Sequence, residues 1–133
     1  MKVLTVIKSY FMREPIRDKG RLEHMLDAID RVLGYMEGKS FDNLSKDKIE
    51  YYGIVKCIEI VGEAAYKLSK DFKLANPTTP WNVIEKMRHV LVHDYYIIDE
   101  NEIRFVIEDD LRPLRDQIVK YIIETNWKQW EKI

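Results

Sequence analysis

Leu22-Glu-His-Met25-Leu26-Asp-Ala-Ile29-Asp-Arg-Val32-Leu33-Gly-Tyr-Met36 decides the fold class. Its apolar residues recur at steps of three and four, which gathers them on one stripe of a helix. Gly38 stands where a helix ends on a left-handed residue. The same spacing predicts a second helix from about Lys48 to Phe72, carrying Tyr52, Val55, Ile58, Val61, Ala65 and Leu68, with Ser45 as its N-cap and Lys46-Asp47 as its polar first turn. Ala75-Asn-Pro-Thr-Thr-Pro80 ends it, since prolines cannot continue a helix. A third helix starts at Pro80-Trp81, with Thr79 as N-cap and proline at its favoured first position. It carries Trp81, Ile84, Met87 and Leu91.

A fourth apolar stripe runs from about Asp99 to Trp127 through Ile103, Val106, Ile107, Leu111, Leu114, Ile118, Tyr121 and Ile122. Pro113 lies inside it and predicts a kink or break after Asp110. No stretch alternates as a strand does. The economical arrangement is all-α: an antiparallel four-helix bundle with a kinked or broken C-terminal helix. Residues 14–133 form its single domain. Residues 1–13 are an N-terminal extension that serves as an extra helical turn, a dimer arm or a disordered lead.

Composition agrees. The chain has 133 residues, of which 46% are hydrophobic and 34% charged. That is the size of one domain, which buries roughly two-thirds of its unfolded surface and needs no disulfide to fold. The 22 basic and 23 acidic residues nearly cancel, so sequence-blind coating of a polyanion is not the whole function. A single cysteine, Cys57, precludes an internal disulfide and reads as a small apolar residue between Ile54 and Val61. Lys2 and Lys8 interrupt the N-terminal apolar residues, and no stretch approaches the ~20 apolar residues of a membrane helix. The expectation is a soluble, cytoplasmic protein.

Chemistry concentrates in Glu85-Lys-Met-Arg88-His89-Val-Leu-Val-His93-Asp94-Tyr95-Tyr96, which holds two of the three histidines. Histidine titrates near neutrality and can carry a proton, while arginine offers a fixed cationic fork to phosphate oxygens. Metal-free phosphodiester cleavage needs those two functions. Arg88 and His93 are five residues apart, about 140° around an ideal helix and ~7.5 Å along it. They converge only through the length of Arg88, a helix end near His93, or a second copy of the chain. His89 and His93 share a face. With Glu85 they make a Glu-x-x-x-His-x-x-x-His stripe that could ligate a divalent ion, with His24 and Glu63 as conceivable additions.

Plainer readings stand beside these. The histidines could cap or pack, Arg88 could be a surface charge, and Asp94 a last-turn acid paired with a neighbour. His24 lies on a polar flank, and at least one of Tyr95 and Tyr96 belongs to the core. Six acids against one arginine between Asp99 and Asp110 make a solvated face. Glu63 is more distinctive: Gly62 and Ala64-Ala65 let another helix approach, so its carboxylate should pair with a cation, and Arg88 is the expected partner.

Arg88-His-Val-Leu-Val-His93-Asp-Tyr95 resembles the R-x4-H-x-Y motif of HepT-type toxins, helical ribonucleases of the HEPN superfamily. The likeness extends, in order, over residues 17–122: Arg21 to Met36, Ile60-Val-Gly-Glu-Ala-Ala65, Pro80-Trp81 with Lys86-Met87-Arg88, Ile98-Asp99, and Asp109-Asp110-Leu111-Arg112-Pro113-Leu114. The resemblance implies a toxin acting as a metal-independent endoribonuclease across a homodimer cleft. Arg88 and His93 would be its catalytic pair, supported by His89, Asp94 and Glu63. The RNA 2′-hydroxyl would attack, leaving a 2′,3′-cyclic phosphate and a 5′-hydroxyl. Tyr95 would match the tyrosine that a minimal nucleotidyltransferase antitoxin modifies with AMP, using ATP and magnesium. The toxin chain itself would need no cofactor. His89 departs from the asparagine usual after the motif arginine. The alternatives are a non-catalytic nucleotide- or protein-binding bundle, or a metal-dependent enzyme using Glu85, His89 and His93.

Overall fold

The computed structural model describes residues 2–12 and 16–131; all structural statements concern these residues. Four helices build the bundle: α2 (Asp18–Met36), α4 (Lys48–Lys67), α6 (Trp81–His93) and α8 (Leu111–Glu124). Helix α2 packs on α4, α4 on α6, and α8 on the other flank of α2. Side-chain pairs fix the directions. Asp18 meets Ser69 and Tyr35 meets Glu50, so α2 and α4 run antiparallel. Asp30 binds Arg115 and Asp18 binds Trp130, which reverses the chain between α2 and its C-terminal neighbours. Tyr52 touches Tyr95 and Glu63 touches Arg88, which does the same for α4 and α6.

The predicted stripes form the core, except that Tyr51 is buried in place of the expected Tyr52, which is half exposed. Leu22, Met25, Ile29 and Val32 from α2 meet Ile58, Val61 and Ala65 from α4, all fully buried. Each large side chain so removed from water contributes about 1.5–3 kcal/mol. At one end Phe72 collects Trp81, Tyr121, Trp127 and Trp130 within 6.2 Å between ring centroids. The indole N–H groups there donate to Asn76 O, Ile122 O and Asp18 Oδ2, so the aromatic cluster leaves none of these donors bare. Gly38 has φ 74°, the left-handed position expected at the end of α2.

Several boundaries differ from the sequence reading. The second helix does not run to Phe72. It stops at Lys67 because Asp18 draws off the N–H and hydroxyl of Ser69 (2.7 and 2.6 Å), and Ser69 then caps α5 (Lys70–Ala75). Asp47, not Ser45, is the N-cap of α4, accepting from the N–H groups of Ile49 and Glu50. Ser45 belongs to a separate short helix, α3 (Phe41–Lys46), where its hydroxyl donates to Asp42 O. Thr79 caps nothing: it is buried, its hydroxyl shared with Gln117 and Tyr121.

The C-terminal stripe is divided into α7 (Glu100–Phe105), a π-helical turn over Val106–Asp110, α8, and α9 (Trp127–Trp130). Pro113 cannot donate to the carbonyl four residues back, and its ring crowds that carbonyl. The widened turn accommodates it, so the irregularity falls just before the expected point, after which the helix resumes. Residues Lys2–Met12 form α1, eleven residues long, which is neither the single extra turn nor the disordered lead among the expectations. No described helix is long and apolar enough to cross a membrane.

Candidate active site

The site begins with a glycine. A Cβ on Gly62 would overlap the Cβ of Arg88 and lie 3.1 Å from its Cα and 3.2 Å from the carbonyl of Ile84. Only hydrogen fits, and α4 and α6 therefore meet almost backbone to backbone. The next residue, Glu63, is thereby set beside the Arg88 side chain. Its Oε2 accepts from Arg88 Nε at 2.5 Å, and its Oε1 lies 3.3 Å from Lys67 Nζ. The Tyr66 ring lies beneath the guanidinium, 5.0 Å from Cζ to centroid.

This arrangement orients Arg88 without consuming it. The carboxylate takes Nε, so the two terminal nitrogens remain for a second anion. The Arg88 side chain is 25% exposed, enough to be reached and little enough to be held. Burial pushes the Glu63 carboxyl upward, but hydrogen bonds and charges from Arg88 and Lys67 outweigh it and hold Glu63 below the ordinary carboxylate value. Glu63 is thus an anion at neutral pH, as a clamp on arginine requires.

His89 and His93 stand on the exposed side of α6, one turn apart, with ring centroids 4.6 Å apart. Arg88 turns instead towards α4, where Glu63 and Tyr66 hold it. Helix α6 ends at His93. Asp94 follows as its C-cap, half-buried, with its N–H on Val90 O and its carbonyl accepting from Ile97. Tyr95 and Tyr96 are 54% and 73% exposed, so neither belongs to the core, contrary to the sequence reading. The turn after Asp94 turns both rings outward, which helical spacing could not foretell.

The metal-ligating stripe is not assembled. Glu85 is engaged by Lys73, and among the described residues no three His, Cys, Asp or Glu side chains are grouped to hold an ion. His24 is exposed on α2, on the polar flank expected of it. Cys57 is half-buried at the core's edge. The sequence reading missed Tyr66 and Lys67, although both lie three and four residues beyond Glu63, where helical neighbours meet.

The family model for HepT-like ribonucleases matches residues 25–121. The chain belongs to the HepT-like family. The match includes Glu63, Arg88, His93 and Tyr95 and leaves α1 and α9 outside it. Among curated HepT-like relatives, a Thermococcus cleftensis protein described as "Probable ribonuclease HepT" is 28% identical over 102 residues, covering 77% of this chain and 93% of the relative. A Caldanaerobacter subterraneus subsp. tengcongensis protein described as "Putative RNase" is 31% identical over 97 residues, 73% of this chain and 87% of its own length. No solved structure matches this HepT-like chain.

Proposed function

We propose that this protein is a metal-independent endoribonuclease, the toxin of a pair with a minimal nucleotidyltransferase, acting as a cytoplasmic homodimer. The observation that carries the reading is the Glu63–Arg88 clamp, which presents a cation on the same helix whose end bears His93. The 2′-oxygen of RNA attacks phosphorus, His93 takes the hydroxyl proton, and the P–O5′ bond breaks. The proton passes to the departing 5′-oxygen, leaving a 2′,3′-cyclic phosphate and a 5′-hydroxyl. Arg88 neutralises charge growing on the non-bridging oxygens. His89 and Asp94 shape the His93 end.

Two copies complete the cleft, each helix α6 contributing its Arg88 and His93. An apolar groove between α6 and the α7/π-turn segment, lined by Val83, Met87, Val90, Leu91, Ile103 and Val106, with Val83 more than half exposed, supports this. Tyr95 is accessible to the partner enzyme, and AMP there would place negative charge where an RNA phosphate must enter. A substrate carrying 2′-deoxyribose at the cleaved position tests the mechanism. It should resist cleavage, and its cleavage at the normal rate would overturn the 2′-hydroxyl route. A mass increase confined to Tyr95 after incubation with the partner and ATP tests the regulatory half.

A further inference from the structure

Four tyrosines form an edge-to-face chain that starts in the core and climbs to the surface beside the end of α6. Tyr51 is buried against Phe41 and anchors it. Tyr52 follows at 5.5 Å, Tyr95 at 6.4 Å from Tyr52, and Tyr96 at 5.6 Å from Tyr95, with successive rings at 77°, 88° and 88°. Perpendicular contact uses the edge of one ring against the face of the next, and Tyr52, Tyr95 and Tyr96 are each half exposed or more. The ladder therefore joins two elements, α4 and the turn after α6, in a fixed array that still offers ring surface to solvent. Its surface end, Tyr95 and Tyr96, follows His93 by two and three residues.

We propose that Tyr52 and Tyr96 form a stacking platform for unpaired bases next to the scissile phosphate, making single-stranded RNA segments the substrate class. The proposal rests on the ribonuclease reading above. Every base has a π-face, so aromatic rings retain single strands without reading their sequence, and a duplex, whose bases are already stacked, gains nothing there. A chain with near-neutral overall charge needs such a non-ionic hold on RNA. Tyr52 and Tyr96 act as positioning residues: they place the nucleotide beside the cleaved bond and do not touch the reacting atoms.

The test compares wild type with Tyr52→Leu/Tyr96→Leu and Tyr52→Phe/Tyr96→Phe on a cleavable single-stranded oligoribonucleotide, and on the same strand with an abasic residue beside the cleavage position. Leucine at both positions should raise KM about tenfold with kcat within about twofold, and phenylalanine should restore KM. The abasic strand should be equally poor for wild type and the leucine variant. An unchanged KM in the leucine variant overturns the platform while leaving the nuclease standing. Weaker self-association of the leucine variant by light scattering, with KM unchanged, assigns the patch to a second copy and likewise overturns it. Binding of a fully 2′-O-methylated strand, measured directly, separates the two readings. Wild type that binds this strand tighter than the leucine variant, yet cleaves no RNA, keeps the platform and removes the nuclease.

Discussion

Glu63 Oε2 lies 2.5 Å from Arg88 Nε, across a contact between α4 and α6 that exists because residue 62 has no side chain. The two facts are one device. The glycine brings the helices together, and the glutamate uses that closeness to aim a guanidinium. Replacing Glu63 with glutamine keeps the shape and removes the charge. We expect kcat/KM for RNA to fall about tenfold, the effect of a loosened but present arginine. The stability loss should be about 1 kcal/mol or less, because both side chains are a quarter to a third exposed and water screens the pair. Steady-state kinetics with urea unfolding check both numbers.

Two glycines of α4 should respond oppositely to alanine. Gly62→Ala must displace Arg88 or the helix that carries it and should cost about 1–3 kcal/mol together with most of the activity. At Gly53 a Cβ meets nothing within 4 Å, and alanine there should stabilise the helix by up to about 1 kcal/mol. Urea midpoints of the two variants, measured side by side, decide the matter.

Acid should dissolve the clamp. Unfolded, Glu63 titrates near the ordinary value of 4.5; folded, it titrates lower. Its contribution is therefore fully present above the unfolded value and is lost as pH falls through the folded one. The stability gap between wild type and Glu63→Gln should be constant from neutral pH to about pH 5 and should shrink below that. Unfolding curves across this range would show it. A gap that widens towards acid would mean that Glu63 is not held as an anion.

Asp18 ties three elements together at the far end of the bundle, accepting from the Ser69 N–H and hydroxyl and from Trp130 Nε1 at 3.0 Å. Asp18→Ala should cost about 2 kcal/mol and expose α9 to proteases. Limited proteolysis and indole fluorescence report the two effects.

The helices and their stripes were legible because apolar spacing reports which face is buried, and Leu22, Met25, Ile29 and Val32 are all buried as that spacing requires. The Glu63–Arg88 pair was legible for a similar reason: Gly62 and Ala64-Ala65 announce a close crossing. Features decided by a distant partner were hidden. The stop before Ser69 depends on Asp18, fifty-one residues earlier, and Thr79 forgoes capping for Gln117 and Tyr121. Tyr95 and Tyr96 look like core residues by type, and only the turn at Asp94 sends them outward. The HepT-like family itself was legible in the motif and in the order of segments around it.

The most direct test of the central claim is RNA cleavage by wild type and His93→Ala with EDTA present, each protein verified as folded by circular dichroism. Wild type should cut and leave 2′,3′-cyclic phosphate ends, and His93→Ala should be slower by about a hundredfold or more. Equal cleavage by the two proteins would contradict the account.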